Sequence, residues 1–296
     1  MAELLLRGVR FAWRRPLVMG IVNANADSFS DPGARTFEAV VDRALGLVSA
    51  GAGALDVGAQ SAITNRAPAD PSGEAAAVAP VVRAVVERCP GVLVSVDTFK
   101  PAVVEAVLDA GAHLVNDVSG LRDPTVARMC AAAGAGLVVM HTAAPPLTRL
   151  QDPDLYHDVG REVAGFLAGR IAGAVEAGVD PRSIAVDPGV DFTKTPAQTV
   201  ELLRNLGPVV ALGRPVRAPT KSLRDRASST GRPPAGRDAG TLGAVAALRW
   251  VPGPILRVHD VGATADFLRV LDVLTGEEPA PPGLTLPEEL RHQRGS

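Results

Sequence analysis

The sequence predicts an α/β fold: a TIM (β/α)8 barrel formed as a single domain. Three observations predict it. Short runs rich in Val, Ile and Leu recur eight times along the chain. Segments of helical period separate them. No dinucleotide-type glycine fingerprint accompanies the pattern. Continuous apolar runs mark strands buried on both faces, as parallel sheets require. Eight strand-then-helix units favour a closed ring over an open doubly wound sheet, and 296 residues suffice for a barrel of about 250.

In order, the expected strands are residues 17–23, 54–58, 93–97, 113–117, 136–141, 183–187, 215–220 and 255–260. The strand at 215–220 is the poorest, because Arg217 interrupts its apolar run and Pro219 lies near its end. Expected helices cover 37–50, 74–88, 101–110, 126–133, 158–177, 197–206, 241–250 and 263–274. Pro101 suits a first helical turn, where a missing N–H costs nothing, while Gly111 and Gly178 suit the position just past a helix end. Residues 3–15 read as a short hairpin covering the closed end of the barrel. The barrel unit is placed at 1–276, and 277–296, rich in Pro, Glu and Arg, as a mobile tail.

Composition excludes several classes. A net charge of -2 provides no basic footprint for nucleic acid and no polybasic anchor. No stretch of about 18 uncharged apolar residues is present, so no membrane span is expected. Cys89 and Cys130 lie far apart and match neither metal-ligand spacing nor a disulfide framework, which suits a reducing cytoplasm.

The chemistry is concentrated where strands end. Asn23, Asp56, Asp97, Asn116 with Asp117, His141, Asp187, and Arg257 with His259 all fall at or near strand C-termini, and Lys221 follows the seventh strand. Barrel active sites are built on that face. One polar strand end alone could simply cap the next helix; so many converging groups suggest a binding mouth. Asp97, Asn116 and Asp187 offer acceptors, which suit a ring with an amino-imine edge, such as a pterin or a guanine-like system. Lys221 would donate to a ring carbonyl or nitrogen, or else is a solvated loop lysine. Arg257 and His259 share one side of the eighth strand and could grip a diphosphate. Asn23 would contribute to a Mg²⁺ site, and the hydroxyl of Ser61 could assist. The alternative for Arg257 and His259 is pairing with carboxylates such as Asp260 or Asp56.

These segments resemble the dihydropteroate synthase family. Residues 18–33 (VMGIVNANADSFSDPG) are similar to its opening signature and 55–61 (LDVGAQS) to its second block. SVDTFK at 95–100, NDVSG at 116–120, VMH at 139–141, VDPGVDFTKT at 186–195 and RVHDV at 257–261 follow in the family's order. The resemblance implies a (β/α)8 barrel, usually a homodimer. It also implies that 6-hydroxymethyl-7,8-dihydropterin diphosphate is joined to 4-aminobenzoate, with Mg²⁺, in folate biosynthesis. It assigns the pterin site to Asp97, Asn116, Asp187 and Lys221, and the diphosphate and metal site to Asn23, Arg257 and His259. Asp97, Lys221, Arg257 and His259 would carry the catalysis. The sequence departs from the family pattern at Asn25-Ala26, at Ala62-Ile63 where Thr-Arg is usual, and at Pro219-Thr220 where Ser-Arg is usual. In the family it resembles, the loops at these positions organise the amine and part of the anion site. A pterin-binding paralogue that uses another amine, or lacks catalysis, is therefore the alternative.

Overall fold

The computed structural model describes residues 1–24, 36–59, 70–148, 150–219, 238–280, 282–283 and 285. An antiparallel hairpin, β1 (Ala2–Leu6) and β2 (Val9–Trp13), comes first. The barrel follows in chain order: β3 (Leu17–Asn23), α1 (Phe37–Ser49), β4 (Ala54–Gly58), α2 (Pro71–Arg88), β5 (Leu93–Asp97) and α3 (Pro101–Asp109). Next are β6 (Leu114–Asp117), α4 (Pro124–Ala133), β7 (Gly136–Met140), α5 (Val159–Glu176) and β8 (Ile184–Asp187). The chain then runs through α6 (Pro196–Arg204), α7 (Gly207–Val210), β9 (Arg217–Pro219), α8 (Asp238–Leu248), β10 (Ile255–Val258) and α9 (Val261–Leu274).

The eight barrel strands form one parallel sheet in the order β8-β7-β6-β5-β4-β3-β10-β9. A parallel bridge between Val186 and Val216 brings the two ends together, so the expected (β/α)8 barrel is what the chain forms. Three strands, β3, β4 and β5, keep their expected bounds, and the other five are shorter by one to three residues. Local chemistry sets the helix ends. Asp70 caps α2 and Pro71 opens it, so that helix starts three residues before the expected Glu74. Thr195 and Gln198 form a reciprocal capping box at α6. Gly111 (φ +98°) and Gly178 (φ +99°) take the left-handed conformation just past α3 and α5. The short helix α7 was not expected from the sequence.

Side-chain alternation divides each strand between two environments. Outward-facing Leu55, Val57, Val94, Val96, Val115, Val186, Leu256 and Val258 are buried in the main core against the helices. A second core fills the barrel floor with Met19, Ala54, Leu93, Leu114, Val138, Ala185 and Ile255, closed from below by Leu4 and Leu6 of the hairpin. The hairpin is tied to the barrel by Arg7 N donating to Gly134 O (2.6 Å) and by the Ser183 hydroxyl donating to Leu5 O. Two residues further along the same strands, the inward positions become polar: Ala54 gives way to Asp56, Leu93 to Ser95, Leu114 to Asn116, Ala185 to Asp187 and Ile255 to Arg257. The apolar floor therefore supports a layer of charge about 7 Å higher, the rise of two strand residues.

Candidate active site

Asp56 is the hub of that layer. It is fully buried. One carboxylate oxygen accepts the Ser95 hydroxyl (2.7 Å). The other accepts Arg257 Nε (2.6 Å), Arg217 Nη2 (3.3 Å) and, more distantly, Asn116 Nδ2 (3.5 Å). Burial works to raise its pKa, but Arg257 and Arg217, with the Ser95 bond, outweigh it and hold the carboxyl below its usual range. Asp56 thus lies one layer below the strand end where the sequence placed it, and it serves the arginines.

Arg257 bridges outward from Asp56 to Asp97, with Nη2 at 3.4 Å from Asp97 Oδ2. Pairing of Arg257 with Asp56, the alternative left open by the sequence, is thus present. Asp260 is not its partner: it caps α9, accepting from Ala263 N (2.9 Å). Asp97 keeps 16% of its side chain exposed at the rim. Burial, then the nearby Asp56 charge, push its pKa up to about 7, and the two arginines offset this only in part. Below the rim, Glu74 accepts from Thr98 Oγ1 (3.2 Å) and Lys100 Nζ (2.6 Å), which fixes the turn that carries Asp97.

Asp187 ends β8 and is fully buried. Its Oδ1 accepts Gly189 N (2.7 Å), and its Oδ2 is paired with Arg217 Nη1. Gly189 is required in this turn, because its φ is +66° and an added Cβ would lie 1.9 Å from His141 O. Asn116 points into the same space, and its Oδ1 is buried with no hydrogen-bond partner among the described residues. The structure therefore brings Asp97, Asn116, Asp187 and Arg257 into one constellation. Asn23 is exposed at the end of β3, and His259 is part-buried just past β10. Lys221 and Ser61 lie outside the described residues, as do Ala62-Ile63, Asn25-Ala26 and Thr220.

Two strand-end residues have other duties. Asp117 accepts Ser119 N (2.7 Å) and holds its own turn. His141 is buried beside Phe166 and Tyr156 and meets Lys194 Nζ through Nδ1 at 2.9 Å. Lys194 is wholly buried and also donates to Gly189 O (3.0 Å) and Phe192 O (3.2 Å). Burial lowers the lysine pKa to about 7 against the pull of Asp187 and Asp191, and burial with Lys194 lowers His141 to about 3. This pair braces the β8 turn from behind.

Lys194 and Arg217 were missed as site residues. Arg217 was legible in one respect: an arginine between Val216 and Ala218, on a strand otherwise apolar, needs a buried counter-charge. Which carboxylates supply it depends on strands 30 and 161 residues away, and no local pattern reveals that.

The family described as "Pterin binding enzyme" matches residues 19–259. A dihydropteroate synthase of Mycobacterium leprae is 38% identical over 265 residues, covering 86% of this chain and 92% of that protein. The structure of Xanthomonas albilineans dihydropteroate synthase with 4-aminobenzoic acid superposes with a TM-score of 0.82 at 36% identity, covering 94% of this chain and 99% of that one. The same enzyme in complex with 7,8-dihydropteroate gives 0.79 at 36% identity, covering 94% and 100%.

Proposed function

Because the chain belongs to the dihydropteroate synthase family of pterin binding enzymes, we propose that it condenses 6-hydroxymethyl-7,8-dihydropterin diphosphate with 4-aminobenzoate, releasing diphosphate, in folate biosynthesis. The observation that carries this reading is the convergence of Asp97, Asn116, Asp187 and Arg257 above a sealed apolar floor. Acceptors on one side suit the amino edge of a pterin, and a guanidinium at the rim suits the departing anion.

The chemistry needs no protein nucleophile. The bond between the methylene carbon and the diphosphate oxygen breaks, and diphosphate leaves with the electron pair. The amine nitrogen attacks the same carbon and loses a proton to solvent. Arg257 and His259 hold the leaving charge. Asp97, once ionised, stabilises positive charge spread into the ring. Lys221, just beyond the described residues, donates to the ring. Positioning and preorganised charge supply the rate.

Mg²⁺ takes one or two protein oxygens and completes its shell with water and substrate phosphates. The donor set fits that habit. Asn23 offers one amide oxygen on β3, next to the β10 strand of Arg257. Among the described residues no group of three or more His, Cys, Asp or Glu could hold a metal alone. Once bound, the ion would neutralise charge on the diphosphate. The reading includes a homodimer, supported by Val270 and Leu274 exposed one turn apart on α9 and by Trp250, 66% exposed after the neighbouring α8. No helix of the described residues is long and apolar enough to cross a membrane.

Purified protein given the pterin diphosphate, 4-aminobenzoate and Mg²⁺ is expected to release diphosphate and form 7,8-dihydropteroate. Release only with a different amine, or pterin binding without release, would favour the paralogue reading, which the exchanges at Ala62-Ile63 and Pro219-Thr220 support. No binding of any pterin would sink both.

A further inference from the structure

Three carboxylates of the mouth, Asp56, Asp97 and Asp187, share two guanidinium groups. Arg257 serves Asp56 and Asp97. Arg217 serves Asp56 and Asp187, with its side chain 4% exposed and both partners at 0%. Each Asp187 oxygen already has a donor, Gly189 N on Oδ1 and Arg217 Nη1 on Oδ2, and the buried guanidinium fills the space beside the carboxylate. A pterin presents its amino-pyrimidine edge as coplanar N–H donors, and a guanidinium presents the same pattern to a carboxylate. Beside it, Asn116 Oδ1 is a buried acceptor with no partner among the described residues.

We propose that Arg217 is a resident competitor for the pterin slot: its guanidinium holds the Asp187 carboxylate that the heterocycle's amino edge must use, so a pterin enters only by displacing it. The inference rests on the pterin reading of this mouth and adds a specificity-determining residue to it. Displacement is physically accessible. Arg217 is held at the far end of its side chain through Nη1 and Nη2, its buried Nε having no partner among the described residues, and it sits on the three-residue strand β9. The cost of moving it is the loss of charge-assisted bonds to two carboxylates. Only a ligand that restores donors to Asp187 offsets that loss, so rings lacking the amino edge are rejected. A purely structural ion pair would have the opposite signature, since removing it would take the guanidinium from buried Asp187, leave Asp56 to Arg257, and loosen the pocket.

The test is a calorimetric titration of 6-hydroxymethyl-7,8-dihydropterin into the wild-type chain and Arg217→Gly, with folding checked by thermal unfolding. The expected result is at least tenfold tighter binding to the variant. n-Propylguanidinium, a free copy of the missing side chain, should compete with the pterin in Arg217→Gly and have no such effect on the wild type. If Arg217→Gly does not hold its fold alone, Arg217→Gln, which keeps a donor for one carboxylate, carries the same titration. Pterin binding that is equal or weaker in the variant overturns the proposal and leaves the pterin reading intact. Folded proteins that both ignore the pterin remove that reading, and the proposal with it.

Discussion

Asp97 is the titrating residue of the mouth. With its carboxyl pushed up to about 7 from 3.8 by burial and the Asp56 charge, the folded chain binds a proton that the unfolded chain has released. The raised pKa therefore contributes stability that is fully present below about pH 4 and is lost as pH rises through about 7. Unfolding curves recorded between those limits should show the wild type losing stability with rising pH relative to Asp97→Asn, which has nothing to titrate there. Parallel profiles would mean that Asp97 does not carry the proton. The same substitution removes the charge offered to the ring, and an at least tenfold weaker pterin affinity is expected above pH 7. Isothermal titration reads it, and unchanged affinity removes Asp97 from the pocket.

At the scale of elements, the barrel divides labour between its ends. Leu6 is completely buried in the floor cluster, with the charged layer on the far side of the strand residues above it. Leu6→Ala should cost about 2–5 kcal/mol of stability, the usual range for a large core truncation, while pterin affinity stays within twofold. A large loss of affinity at full folding would show that the two ends are coupled. The same division explains what the sequence disclosed. Apolar runs located every strand, because outward residues such as Val94, Val96 and Val115 are apolar whatever the inward ones do. The ends of α3 and α5 were readable from Gly111 and Gly178, since backbone chemistry there is local. Asp97, Asn116, Asp187 and Arg257 were picked out because polar groups at strand ends converge in any barrel. Their partnerships were not readable: Arg257 reaches a carboxylate 201 residues away, and Lys194 appears as an ordinary loop lysine until His141 is brought beside it.

For the whole molecule, the proposed homodimer would use the outer wall. Val270 and Leu274 are 58% and 76% exposed on a helix whose opposite face is packed on the barrel. Apolar side chains i and i+4 share one face, and a second copy would cover them. Sedimentation should give a dimer for the wild type and a monomer for Leu274→Glu combined with Val270→Asp. A wild-type monomer at micromolar concentration removes the homodimer from the reading.

The narrow closure at Val186 and Val216 gives the ring a seam. On one side β8 carries Asp187, on the other β9 carries Arg217, and among the described residues the backbones there are joined by one bridge, with Val186 N donating to Pro215 O (2.9 Å). The buried ion pair crosses this seam and works as a clasp. Unfastening it from within would let the wall part locally along that line, so amide hydrogens flanking the seam should exchange with solvent sooner than those on the opposite arc of β4 and β5.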